Sequence, residues 1–165
     1  MSARDSVDEH VRRWRAELPD LDPQIEGAVT RMQMLVRHWR QAKQTALAAV
    51  GLQAYEFETL HALVGQGAPY RAGPSQLASV LMMSPAAMTG RLDVLERRGW
   101  LRRLPSPTDR RKVVVELTEA GRETWDTAMK ELGVEEDRVL GALSPAERRQ
   151  LANLLRRMLL RVERP

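Results

Sequence analysis

Eight arginine or lysine side chains fall between Arg91 and Lys112 against three acids, so this stretch is net +5 while the rest of the chain is net −1. Cationic groups at that density neutralise phosphates, and an affinity built on them falls with salt. A charge run is also the ordinary composition of a solvated face, so the elements around it must decide. Catalysis has no comparable foothold. His10, His38 and His61 are scattered, and there is no HExxH, no GxSxG, no P-loop and no dinucleotide fingerprint. With no cysteine and no clustered histidine, disulfides and thiolate metal sites are excluded. The reading is of a non-enzyme without metal or cofactor.

The elements that would position these charges run from Pro74 to Leu117. Ser75 to Leu81 reads as a short helix with Ser75 as N-cap, too short to stand without a partner. Ser84 caps a second helix, with Pro85 at its first position, where a missing N–H costs nothing. Met88, Leu92 and Leu95 form its buried stripe, leaving Ala86, Ala87, Thr89 and Gly90 as a small, weakly polar surface suited to base edges. Gly99 ends that helix. Trp100 to Leu104 and Val113 to Leu117 then read as a hairpin, with Pro105, Pro107 and Asp109 in its loop and Asp109-Arg110-Arg111 at its tip. Two helices joined by a tight turn, followed by a basic hairpin, are the outline of a winged helix-turn-helix that binds double-stranded DNA.

Long amphipathic helices flank this unit. Val7, Val11, Trp14 and Leu18 stripe a first helix, capped by Asp5 or Ser6 and stopped by Pro19; a second runs from Asp22-Pro23 to Val50, closed by Gly51. A third covers Gln53 to Val64 with Phe57, Leu60 and Val64 inward. Beyond the hairpin, Thr118 caps a helix to Leu140, and Ser144-Pro145 caps a last helix bearing Leu151, Leu154, Leu155, Met158, Leu159 and Val162. The fold class is mainly α with a small β-hairpin wing. The organisation is N-terminal helices over 1–50, the winged helix-turn-helix over 51–118 and C-terminal helices over 119–165. Those terminal stripes pack either on their own domain or on a second subunit. The small central unit offers too little surface to hide them all, which favours a homodimer. Such a dimer sets two recognition helices about one DNA turn apart, roughly 34 Å, and reads a pseudo-palindromic operator. Neither a membrane span nor the apolar core of a signal peptide is present, and the expected location is the cytoplasm. A non-specific architectural DNA binder is the alternative function; it would show a steep salt slope with little sequence preference.

Leu77-Ala78, Ser84-Pro85, Leu95-Glu96-Arg97-Arg98-Gly99, Asp109-Arg110-Arg111 and Leu117-Thr118-Glu119-Ala120-Gly121 together resemble the MarR family of bacterial transcription regulators. The resemblance extends from about Ile25 to Leu160. It implies an obligate dimer held by the N- and C-terminal helices, acting as a ligand-responsive repressor. It also implies that Ser75, Gln76, Ser84, Ala86, Ala87 and Thr89 lie toward the DNA, with Arg110 and Arg111 at the wing tip. Arg111 would reach the minor groove, oriented by Asp109.

The N-terminal helix with Trp14, followed by Leu18-Pro19-Asp20-Leu21, resembles a narrower subgroup of urate-responsive members. That likeness implies a ligand crevice of Trp14, Glu58, Arg91 and Arg103 for a small anionic effector, aromatic anions included. Glu58 departs from the subgroup, which has Asp there. The residues alone also fit a packing role for Trp14, a phosphate contact for Arg91 and a surface carboxylate for Glu58. From the helical spacing, Arg91 lies on the flank of the buried stripe, where an arginine needs an acid or an anion, and Glu58 is a candidate partner.

Overall fold

The computed structural model describes residues 4–106 and 112–164. The chain divides into two units, Met1–Lys43 and Gln44–Pro165.

In the first unit, α1 (Ser6–Glu17) starts at a reciprocal cap: the Asp5 carboxylate accepts the N–H groups of Val7 and Asp8, and Asp8 accepts the N–H of Asp5. Asp22 receives the N–H groups of Gln24 and Ile25 and starts α2 (Pro23–Ala49) with Pro23 in the first turn. The two helices meet at Gly27, where an added Cβ would lie 3.8 Å from Val11 Cγ2. Arg31 of α2 forks onto Asp5 and also donates to Asp8. These bonds hold the Asp5 carboxyl below its ordinary range. Val7 is the buried residue of α1. Trp14 remains half exposed, its ring 6.1 Å from that of His10.

The second unit is built on α3 (Ala54–Val64), α4 (Pro74–Val80), α5 (Pro85–Arg97) and a three-stranded antiparallel sheet. Its strands are β1 (Arg71–Ala72), β2 (Leu101–Pro105) and β3 (Val113–Leu117), in the order β1-β3-β2. The register pairs Arg71 with Glu116 on one side and Glu116 with Arg102 on the other. Val115, Leu117, Leu101 and Ala72 supply the buried sheet side of the core, and Leu60, Leu63, Leu77, Met88, Leu92 and Leu95 supply the helical side. Each fully buried Leu or Met contributes about 1.5–3 kcal/mol of transfer free energy, so these side chains dominate the packing.

Two local expectations, on Ser75 and Pro105, are corrected, and others are extended. Ser75 is not a cap: Gly73 takes that position and Pro74 the first turn, because proline's fixed φ suits that turn and its missing N–H is spared there. On α3, Phe57 and Leu60 are buried and Val64 packs against the core as expected, while Leu63, Glu56 and Thr59 are buried in addition. Pro105 belongs to β2, at the strand's end, where no ladder N–H is required of it. Strand β1 was not anticipated at all.

Two helices complete the unit. Thr118 caps α6 (Glu119–Leu140), its hydroxyl accepting the Gly121 N–H and donating to the Gly99 carbonyl at 2.7 Å. Ser144 and Glu147 form a reciprocal cap on α7 (Pro145–Glu163), which buries none of its residues. Leu154, Leu155, Met158, Leu159, Leu160 and Val162 are exposed along it. Among the described residues, no helix is long and apolar enough to cross a membrane.

Candidate nucleic-acid interface

The α4–α5 pair is joined by a tight turn. Met82 takes a left-handed conformation there (φ 49°) and is 93% exposed. The Met82 and Met83 N–H groups donate back to the Ser79 and Ala78 carbonyls, which closes the turn on the end of α4. Ser84 then caps α5 as anticipated, its hydroxyl accepting the Ala87 N–H. Met88, Leu92 and Leu95 are buried to 1% or less. That fixes the rotation of α5, so that Ala86, Ala87, Thr89 and Gly90 are all exposed. Thr89 is exposed and donates its hydroxyl hydrogen to the Pro85 carbonyl at 3.0 Å. Ser75 and Gln76 are exposed at the start of α4, and Gln76 donates to Gln66 at 2.7 Å.

Side chains on α5 and β2 lock this frame electrostatically. Arg91 is part-buried, 3.4 Å from Glu58 and 5.5 Å above the Tyr55 ring centre. Its sequence-predicted acid partner is therefore the one found. Arg103 is held by Asp93 at 2.6 Å and by Glu96, which also accepts the Arg103 backbone N–H. The bond to Asp93 leads the effects that raise the Arg103 pKa. Arg103 thus ties β2 back to α5, and an anion reaching it must compete with two carboxylates. Trp14 lies in the other unit.

At the root of the hairpin, Glu116 binds both Arg102 and Arg71, joining all three strands through one carboxylate. Arg102 and then Arg71 hold the Glu116 carboxyl below its ordinary range, against the opposing effect of burial. The tip residues Asp109, Arg110 and Arg111 lie outside the described residues. Among the described residues, no group of three His, Asp or Glu side chains is placed to hold a metal ion. His61 serves a ring network instead: its Nδ1 accepts the Trp125 indole N–H at 3.2 Å.

Glu56 and Glu116 escaped the sequence reading, although both are almost fully buried acids. For Glu56 the available signal was its place three residues after Gln53 at a helix start. For Glu116 it was a lone acid in a valine-rich strand between two arginine-bearing ones.

Comparison with known proteins places this arrangement. The MarR family model matches residues 54–113. The chain is 36% identical to the HTH-type transcriptional regulator PecS of Dickeya dadantii, over 92% of each protein. It is 30% identical to the transcriptional repressor MprA of Escherichia coli, over 94% of this chain and 88% of MprA. Among solved structures, YusO from Bacillus subtilis superposes with a TM-score of 0.70 at 20% identity, covering 85% of this chain and 98% of YusO. A mutant MarR from E. coli complexed with operator DNA superposes with a TM-score of 0.62 at 26% identity, covering 85% of this chain and 99% of that one. With the winged-helix architecture in place and the likeness running along nearly the whole chain, this protein belongs to the MarR family of transcriptional regulators.

Proposed function

We propose that this regulator is a homodimeric repressor that binds a pseudo-palindromic operator and is released by a small anionic effector. The observation that carries the operator reading is the rotation of α5. Its buried stripe turns Ala86, Ala87 and Thr89 outward next to the Ser84 cap, on a helix whose relatives include a repressor and a regulator complexed with operator DNA. Ser75 and Gln76 add contacts from the start of α4, and the wing tip adds Asp109, Arg110 and Arg111, with Arg111 drawn into a narrow minor groove. The uncovered apolar face of α7 supports pairing with a second copy, which supplies the two-fold symmetry that a pseudo-palindrome requires.

The effector acts by competing for the ion pairs that steady α5. A small aromatic anion binding Arg91 draws it from Glu58, the longest of the three links, and engages Arg103 against Asp93 and Glu96. About 1–3 kcal/mol of coupling is enough for release. Trp14 is retained as a candidate contact, while the support for the effector site comes from Glu58, Arg91 and Arg103.

Footprinting on the DNA upstream of the protein's own gene tests the operator reading. A protected pseudo-palindrome supports it, and uniform coating of the DNA favours an architectural binder instead. Arg111→Ala is expected to weaken operator binding by about tenfold or more while the sedimentation coefficient stays that of the dimer. Titration with a panel of aromatic anions, urate among them, tests the effector: operator affinity that no member of the panel changes refutes it.

A further inference from the structure

We propose that Arg98 is a positioning residue for DNA reading: it pins the C-terminal end of α5 to the corner between α2 and α3 and so sets the angle at which the exposed face of α5 meets a duplex. The proposal rests on the operator reading above.

The starting observation is Glu56, which is 1% exposed. A carboxylate buried that deeply without a partner would cost several kcal/mol, so its partners are structurally decisive. One oxygen accepts the Gln53 N–H at 2.8 Å and caps α3. The other lies 3.2 Å from Arg98 Nε. The same guanidinium donates from Nη1 to the Gly51 carbonyl at 3.0 Å, and its central carbon sits 4.5 Å above the Trp100 ring centre. One side chain at the end of α5 therefore touches the turn after α2, the first turn of α3 and the residue that leads into β2. Only a planar fork with several donors can make these contacts together.

Geometry turns the pin into a control on reading. Ser84 and Arg98 bracket α5, and at about 1.5 Å per residue they stand roughly 21 Å apart. A tilt of about 5° at Arg98 would carry the Ser84 end nearly 2 Å, whereas base recognition tolerates about 0.5 Å. Phosphate contacts through flexible cationic side chains are far more forgiving. Loss of the pin must therefore reduce sequence discrimination more than general DNA affinity. Arg98 is already charge-matched by Glu56, so it differs from an arginine whose charge is free for phosphate.

The test begins with a duplex selected from random-sequence DNA by the wild-type protein and a shuffled duplex of the same composition. Affinities of wild type, R98A, R98K, E56Q and the R98A/E56Q double variant are measured for both duplexes at several salt concentrations, with melting curves and active fractions alongside. R98A is expected to weaken binding to the selected duplex by about tenfold to a hundredfold, and to the shuffled duplex by less than about threefold. The slope of log affinity against log salt stays unchanged. R98K recovers part of the loss, and R98A costs less on the E56Q background than on wild type. Equal losses on both duplexes with a salt slope reduced by about one would make Arg98 a phosphate contact and overturn the proposal. A fall in active fraction at unchanged affinity would make it merely structural, and R98K and E56Q decide the matter if R98A does not fold. If the wild-type protein selects no sequence, the operator reading itself fails before any variant is examined.

Discussion

Among the glycines, Gly121 is the one least able to accept a side chain. A Cβ placed there would lie 2.0 Å from the Trp100 carbonyl oxygen and 2.9 Å from both the Trp100 carbonyl carbon and Leu117 Cδ1. Leu117 can turn aside, but the Trp100 carbonyl cannot, because it accepts the Thr118 N–H at 3.1 Å. Since a carbon and a carbonyl oxygen normally approach to about 3.3 Å, Gly121→Ala must drive α6 more than an ångström away from the Trp100 carbonyl. That retreat breaks two hydrogen bonds, Thr118 N–H to Trp100 and Thr118 hydroxyl to Gly99. Each loss costs about 1 kcal/mol, and residual crowding costs about 1–3 kcal/mol. The better helix propensity of alanine returns about 1 kcal/mol, leaving a net destabilisation of about 2–4 kcal/mol. Gly133, on the same helix, is the control. Nothing lies within 4 Å of its added Cβ, so Gly133→Ala should stabilise by about 0.5–1 kcal/mol. Urea unfolding followed by circular dichroism under matched conditions reads both effects, with the Gly121→Ala midpoint falling by roughly 1–2 M. Agreement of that midpoint with wild type, or a shift in the same direction as Gly133→Ala, would refute the close approach of α6 to Trp100.

Three further outcomes follow from the same geometry. The Glu116 carboxyl is held below its usual range by Arg102 and Arg71, so its stabilisation is complete above the unfolded pKa of about 4.3 and is lost as the pH falls through the lower folded value. The gap in urea midpoint between wild type and Glu116→Gln should be constant near neutrality and shrink below about pH 4; a gap that persists in acid would show that the ion pairs contribute nothing. Gly90 is exposed with nothing within 4 Å of an added Cβ, so Gly90→Glu should leave the melting temperature intact yet weaken DNA binding by about tenfold or more through like-charge repulsion. Unchanged affinity in an anisotropy titration would mean that this face of α5 does not approach the duplex. Leu92 is 1% exposed at the centre of the core, and Leu92→Ala should cost about 2–5 kcal/mol in thermal or urea unfolding, a loss under 1 kcal/mol contradicting the packing described.

Short-range rules made most helix boundaries readable, the start of α4 at Gly73 rather than Ser75 being an exception. Ser84-Pro85, Gly99, Thr118 and Ser144 mark helix boundaries through capping and φ preferences that involve only neighbouring residues, and each marks the boundary found. The stripe of Met88, Leu92 and Leu95 is periodic enough to fix which face of α5 is buried. The larger failures lie where partners are distant in sequence. Strand β1 is two residues long and exists because Arg71 and Ala72 meet Glu116 and Val115; no local pattern announces it. Arg103 read as a candidate ligand contact because its acids, Asp93 and Glu96, become its neighbours only when β2 folds back on α5. The charge count likewise overstated the free positive charge, since Arg91, Arg98, Arg102 and Arg103 all have acidic partners.

In the dimer proposed here, the bare apolar face of α7 makes folding and assembly a single equilibrium. Dilution should then lower the melting temperature, as it does for any fold completed by mass action. The cell's stock of this regulator would set not only how many molecules there are but also what fraction of them is competent. Halving the supply of chain would more than halve the assembled pool, and a promoter under its control would feel that drop as a steeper release than simple occupancy gives.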